Sequence, residues 1–289
     1  MVDSMAALFI RRIYRFLISM ILQLCMLSLI SCVIHAQVIK IGLFPEKKIH
    51  ALVFSDVNGR YNLYGDGSIL SQLLPGEIFH VTTKNNKILL SSRILIIGVF
   101  SKLELRHTED VNTFQLKPVS PVLGSADYEG DLILIPENSH LQIINELDLE
   151  KYVAAVIEAE GGANAHQEYY KAQAVLIRTY AIKNMYRHGA ENYNLCSSVH
   201  CQAYKGKSVL NKLIYEATLQ TSGMVLTDKD SNLITAPYHS NCGGMTSSAD
   251  AVWQQNIPCL MSIHDPFCSA GRNHNWSKII PFTKWSDYL

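Results

Sequence analysis

An α+β fold is predicted by three features of the sequence. Residues 37–140 consist of short β-rich runs separated by turn signals. Helical periodicity takes over near residue 149, and a tight Cys/His cluster follows on a short loop. The architecture expected is a β-rich segment, 37–140, packed on a helical core, 141–289, that carries a short zinc-binding loop. Residues 1–36 read as an export signal.

In that leader, Arg11, Arg12 and Arg15 precede an apolar run from Phe16 to Ile34, followed by Ala36-Gln37. Leu29-Ile30-Ser31-Cys32 also fits a bacterial lipobox, in which Cys32 would be lipidated. Cleavage after Ala36 or Gln37 is the competing outcome, and a retained anchor the third. All three place the body of the protein outside the cytoplasm, in the periplasm or cell envelope, with any membrane contact made through the leader or its lipid.

The β-rich segment contains VIKIGLF, HALVFS, RYNLYG, IFHVTT, KILLSS and DLILIP, punctuated by NG, DG, PG and NN. Its histidines, His50, His80, His107 and His140, are scattered and read as surface or strand residues. Twenty-five basic residues balance twenty-five acidic ones, so no electrostatic argument points to nucleic acid. With 289 residues, 48% of them hydrophobic, the chain can bury a sizeable core.

The first helix begins at Asp148 as N-cap, with Glu150 in its first turn where the helix dipole favours an acid. Leu149, Tyr152, Val153, Val156 and Ile157 share one face. At about 100° per residue, Glu160 lies roughly 20° from Leu149 and Glu158 roughly 180° away. Glu158 is thus expected in solvent. Glu160 is expected at the inner end of the apolar face, beside the helix stop Gly161-Gly162, where desolvation would raise its pKa and suit a general acid. The simpler alternative is a salt bridge from Glu160 to an arginine such as Arg178.

A second helix spans about His166 to Arg187, with Gly189 as its cap, small residues Ala172, Ala174 and Ala181, and Tyr169, Leu176 and Tyr180 as core contacts. Next come Cys196, His200 and Cys201. Thiolates and an imidazole this close suit tetrahedral zinc, and His188 is the nearest fourth ligand. A disulfide or buried thiols are the alternative. Asn211 to Gln220 reads as a third helix stopped by Gly223, followed by a strand and then ITAPYHS, a further strand leading into Asn241-Cys242-Gly243-Gly244. Cys242 beside His239 has no third group to complete a thiol nucleophile. Cys259 and Cys268 could pair, leaving Cys242 free, but connectivity is open. Trp253, Trp276 and Trp285 are read as core residues before sugar platforms.

The runs ELDLEKYVAAVIEAE, KAQAVLIRTYAIK, YNLCSSVHCQAYKG and APYHSNCGGMTSSADAVW, in this order, resemble the SpoIID/LytB family of sporulation protein D-type peptidoglycan lytic transglycosylases. The resemblance implies that Glu160 is the catalytic acid and that Cys196, His200 and Cys201 belong to the zinc loop. Arg178, His239, Ser240, Gly243 and Gly244 become substrate-contact candidates. It implies cleavage of glycan strands between N-acetylmuramic acid and N-acetylglucosamine to 1,6-anhydro products, on strands stripped of stem peptides by an amidase partner. Two departures stand out: Gly161-Gly162 replaces the family's Met-Pro, and the family's C-terminal GHGVGxSQxGA segment has no counterpart before Leu289. Both favour the alternative of a non-catalytic peptidoglycan-binding protein or amidase modifier.

Overall fold

The computed structural model describes residues 37–74, 76–271 and 274–288. The leader, with Cys32, lies outside the described residues. Among the described residues no helix is long and apolar enough to cross a membrane.

Thirteen strands are described: β1 (Val38–Leu43), β2 (Ala51–Asn58), β3 (Tyr61–Gly65), β4 (Ser68–Gln72), β5 (Ile78–Lys84), β6 (Lys87–Ser91), β7 (Ile96–Phe100), β8 (Leu103–His107), β9 (Thr113–Ser120), β10 (Ala126–Tyr128), β11 (Asp131–Glu137), β12 (His140–Asp148) and β13 (Leu195–Cys196). The six runs read from the sequence are β1, β2, β3, β5, β6 and β11. Their turns explain the register. Asn85 and Asn86, with φ of 53° and 54°, close β5 onto β6 so that Lys84 faces Lys87, the geometry of a two-residue hairpin that twists with its strands.

One sheet has the order β13-β1-β12-β11-β8-β3-β4 and the other β10-β9-β2-β5-β6-β7. Their buried residues join one apolar core. Through it runs an aromatic series: Phe114 stacks on Tyr128 at 5.6 Å, Tyr128 lies 6.0 Å from Tyr204, and Tyr204 lies 5.5 Å from Tyr152 on the first helix. The sheet core is therefore continuous with the packing beneath the helix. His107, read as a surface or strand residue, is the exposed end of β8, and it places Nδ1 2.6 Å from Asp131 Oδ1. That hydrogen bond raises the histidine's pKa against the opposing effect of burial.

Strand β12 pairs antiparallel with β1 along its length, up to Val38 opposite Asp148. It then passes without a break into α1 (Leu149–Gly161). Asp148 is the N-cap, its Oδ1 accepting from the amides of Glu150 at 2.8 Å and Lys151 at 3.1 Å. All residues from Tyr152 to Ile157 are buried, so the helix is enclosed on more sides than a single apolar stripe requires. It ends at Gly161, and Gly162 with φ of 72° turns the chain away.

The second helix, α2, spans Gln167–Lys183, with His166 as N-cap and Asn184 as C-cap. It is shorter than expected and rotated: Tyr170, Ala174, Ile177 and Ala181 are its buried apolar residues, whereas Tyr169 is 40% exposed and Ala172 is exposed. Two tyrosines in succession allow either phase, and packing against α1 selects Tyr170. Helix α3 (Lys212–Gln220) has Asn211 as its N-cap, as expected.

Beyond Gly223 the expected strands do not form a ladder. A single bridge joins Thr227 and Leu233. The chain instead lies along α2, with the Leu226 amide bonded to Thr179 Oγ1 at 2.9 Å and the Leu233 carbonyl to Lys183 Nζ at 2.6 Å. Helices α4 (Ala249–Trp253) and α5 (Phe282–Ser286) are short. Trp253, Trp276 and Trp285 are 46%, 83% and 48% exposed, so none is the core residue expected.

Candidate active site

Helix α1 carries three glutamates with three different surroundings. Near its start, Glu150 accepts from Arg178 Nε at 2.8 Å and from Nη2 at 2.5 Å. The Arg178 side chain is 1% exposed, and its remaining donors reach the carbonyls of Met224 at 3.0 Å and Thr218 at 3.2 Å. Arg178 therefore ties α1 to α2 and to the end of α3. This corrects both expectations for it: buried and fully engaged, it is neither a substrate contact nor the partner of Glu160.

Glu158 is not a solvated surface acid. It accepts from Ser208 Oγ at 2.8 Å and from the amides of Val209 and Leu210 at 3.0 and 2.8 Å, fastening the approach to α3. These amides lie fifty residues away in sequence, so helical periodicity alone assigns the wrong role.

Glu160, on the last turn, is exposed. It does not occupy the apolar cleft expected from its angular position, because α1 buries residues around most of its circumference and ends at the surface. One oxygen, Oε1, accepts the amide of Ala203 at 2.7 Å. The Tyr238 phenol sits near Glu160, and burial together with this carboxylate holds it well above its usual range. Gln202 Nε2 donates to the Tyr238 hydroxyl at 3.4 Å, and the buried Tyr152 hydroxyl donates to Gln202 Oε1 at 3.1 Å. A hydrogen-bonded chain thus runs from the interior of α1 to Tyr238, near the carboxylate at its rim.

Tyr238 and Gln202 were not singled out by sequence reasoning. Each lies next to a residue that was, Tyr238 before His239 and Gln202 after Cys201, yet no local pattern distinguishes them. The Gly161-Gly162 pair also acquires a reason. A Cβ at Gly161 would lie 2.8 Å from the Tyr169 hydroxyl, so a larger residue there would displace this ring.

The amide of Ala203 is presented by a braced loop. Strand β13 pairs parallel with β1, placing Cys196 opposite Gly42. The Ser197 amide bonds the Gly42 carbonyl at 2.9 Å, and the Tyr204 amide returns to the Ser197 carbonyl at 3.1 Å. Buried Tyr204 then donates to Asn145 Oδ1 at 2.6 Å.

The side chains of His188, Cys196, His200 and Cys201 converge inside this loop, with one donor atom from each within 4.8 Å of the others. Cys201 Sγ lies 3.4 Å from His188 Nε2 and 3.7 Å from His200 Nδ1, and Cys196 Sγ lies 3.6 Å from His200 Nδ1. A tetrahedral zinc with Zn–S of about 2.3 Å and Zn–N of about 2.05 Å spaces adjacent sulfur and nitrogen ligands about 3.6 Å apart. The donor set and its spacing therefore fit zinc. Glu191 lies 3.5 Å from His188 Nδ1, where a carboxylate would orient the imidazole toward a metal on Nε2. Burial pushes the Cys201 thiol up to about 11, a shift that a bound divalent cation reverses. Arg187 Nη2 lies 3.3 Å from His200 Nε2, and because guanidinium only donates, Nε2 accepts and Nδ1 bears the proton. Metal on Nδ1 would reverse that tautomer and require Arg187 to turn aside.

After Tyr238, His239 and Ser240 are exposed. Gly243 and Gly244 form a turn with φ of 72° and 106°, but the Gly243 amide already donates to Asn241 Oδ1 at 2.8 Å, which corrects its expected availability to a sugar. Cys268 lies against Cys242 rather than Cys259, with the Cys242 amide 3.4 Å from Cys268 Sγ.

A β-supported helix that ends in a braced carboxylate, beside a Cys/His loop, defines the class of fold and site. Residues 137–227, which contain β12, α1, α2 and the loop, match the family model described as SpoIID, Stage II sporulation protein. That segment is similar to the SpoIID family. The chain is similar to an uncharacterized protein of Brachyspira hyodysenteriae, 26% identical over 253 residues, covering 85% of this chain and 66% of that protein. It is also similar to stage II sporulation protein D of Bacillus subtilis, 31% identical over 202 residues, covering 62% and 58%. The amidase enhancer of Bacillus subtilis is 36% identical over 110 residues, which are 38% of this chain and 14% of that protein. The chain thus spans less than two thirds of the length of each of these relatives.

Proposed function

We propose that the protein is a peptidoglycan lytic transglycosylase, acting outside the cytoplasm on glycan strands and releasing 1,6-anhydro-N-acetylmuramic acid ends. The observation that carries this reading is a single carboxylate, Glu160, standing exposed at a helix end and oriented by the Ala203 amide, with the Tyr238 phenol near it. Protonated Glu160 gives its proton to the glycosidic oxygen as the oxocarbenium-like centre develops. The carboxylate then takes the proton of the muramyl 6-hydroxyl, whose oxygen closes on the anomeric carbon. No water is consumed, so a second carboxylate is not required.

His239 and Ser240, exposed directly after Tyr238, are the proposed sugar contacts. His188, Cys196, His200 and Cys201 would hold zinc. Four protein ligands leave no open position on the metal, so its contribution is structural: it stiffens the loop that presents Ala203 to Glu160. An amidase that removes stem peptides is the expected partner.

The test is mass spectrometry of muropeptides released from amidase-treated peptidoglycan by the wild type and by Glu160→Gln. Anhydromuramyl products that disappear in the variant support the reading. Reducing-end products would replace it with hydrolysis. A second reading, an accessory that modifies an amidase, is favoured by the similarity to the amidase enhancer. It wins if folded protein releases no glycan fragments yet increases amidase turnover.

A further inference from the structure

The segment after Tyr238 contains a second cluster of chemically reactive side chains, separate from the His188 loop. Cys242, Asp265 and Cys268 bring one donor atom each within 4.8 Å of the others. Two arms of chain make this meeting specific. Thr246 and Ile263 are joined by a 2.9 Å backbone bond, Met245 and His264 form an antiparallel bridge, and the Asp265 amide bonds the Gly244 carbonyl at 2.9 Å. Followed outward, this register brings Cys242 beside Cys268. There the Cys242 amide lies 3.4 Å from Cys268 Sγ, and Asn241 Nδ2 donates to the Cys268 carbonyl at 2.9 Å.

A second observation says why the two sulfurs meet. The arms and the helix between them have almost no core of their own. Ala249 is buried, whereas Val252, Met261, Ile263 and Phe267 are 54%, 69%, 62% and 87% exposed. A lobe that buries so little apolar surface gains little from the hydrophobic effect, and small units of this kind are held by covalent cross-links.

We propose that Cys242 and Cys268 form a disulfide that closes residues 243–267, a few positions after Tyr238, into a covalent loop. Asp265 Oδ2 lies 3.4 Å from Cys242 Sγ and 3.2 Å from Cys268 Sγ, so one carboxylate accepts from both thiols and holds them side by side. The oxidant is the disulfide of a thiol–disulfide exchange protein. One cysteine thiolate attacks it, forming a mixed disulfide and expelling a carrier thiolate, which is protonated. The second cysteine then attacks the mixed disulfide, forming the Cys242–Cys268 bond and releasing the carrier's other thiol. Two protons and two electrons pass from the cysteines to the carrier. The pairing leaves Cys259, which is exposed, outside the bond. It does not depend on the glycan-cleaving reading of Glu160.

The test is peptide mapping of the full chain, exported by its host into an oxidising compartment, alkylated without reduction and then digested. A cross-linked peptide containing Cys242 and Cys268, with Cys259 alkylated, is the expected result. The link should persist in Cys259→Ser and disappear in Cys242→Ser, leaving Cys268 alkylated. Cleavage within 243–267 by a probe protease should become about 10-fold faster after reduction, because the loop then recovers its open-state entropy. Alkylation of both Cys242 and Cys268 before reduction overturns the proposal, as does a Cys259–Cys268 link. Protection of both thiols that is lost on adding a chelator also overturns it, in favour of a cation held by Cys242, Asp265 and Cys268.

Discussion

The two ends of α1 use the same residue type for opposite purposes. At the start, Glu150 faces a guanidinium that is 1% exposed, and the pair is enclosed between three helices. At the end, Glu160 stands exposed and is approached by groups that orient it without covering it. A carboxylate in the first arrangement is held in one pairing and has no access to a ligand. One in the second keeps a face open. The contrast indicates that the placement of the rim carboxylate depends on packing established elsewhere, because a helix whose root shifts would also move Glu160 away from Ala203.

The largest effect expected from this contrast is at the root. Arg178→Ala removes every donor that meets Glu150 and the carbonyls of Met224 and Thr218, leaving a carboxylate unpaired beside the core. Breaking such a pair typically costs about 3–5 kcal/mol. Chemical denaturation should show a loss of that size, and the double variant Glu150→Leu/Arg178→Met should recover much of it, since apolar groups of similar volume can replace a buried pair. A loss below about 1 kcal/mol, the scale of a surface pair, would remove the distinction between the two ends.

What the sequence reveals follows the range of the interactions involved. The Asp148 cap, the helix stop at Gly161-Gly162, six of the strands and the Asn211 cap are set by neighbours within a few positions, so residue type and spacing identify them. The phase of α2 is not, because Tyr169 and Tyr170 are both suitable and packing against another helix decides between them. Glu158 was assigned to solvent because helical geometry contains no information about amides at 209 and 210. Tyr238 and Gln202 reach Glu160 only through the fold, and the same holds for Arg178, whose partner was sought at the wrong end of α1. The convergence of Cys196, His200 and Cys201 was legible because they lie within six positions on one loop.

Glu158 gives the middle case, a carboxylate near the rim that acts as a brace. Glu158→Ala removes the acceptor of three hydrogen bonds from Ser208, Val209 and Leu210. Hydrogen bonds to charged groups contribute about 1.5–3 kcal/mol net. With water able to reach this half-buried site, a net loss of about 1–2 kcal/mol is expected. Hydrogen exchange should locate it: the amides of Val209 and Leu210 should lose protection while those of α1 keep theirs. Uniform loss across the helix would mean that Glu158 supports the core, as Glu150 does.

The smallest effect on stability is expected at Glu160 itself. Glu160→Gln retains an oxygen to accept the Ala203 amide and changes no buried volume, so unfolding should shift by no more than about 0.5 kcal/mol, the range of ordinary surface substitutions. The Tyr238 hydroxyl keeps a polar partner as well. A variant that unfolds like the wild type yet releases no anhydromuramyl products separates chemistry from scaffold at this position. If Glu160→Gln instead loses 2 kcal/mol or more, on the order of a broken buried hydrogen bond to a charged group, the carboxylate is bracing the Ala203 loop. Its exposure would then reflect only where the helix ends, and the two ends of α1 would differ in degree rather than in kind.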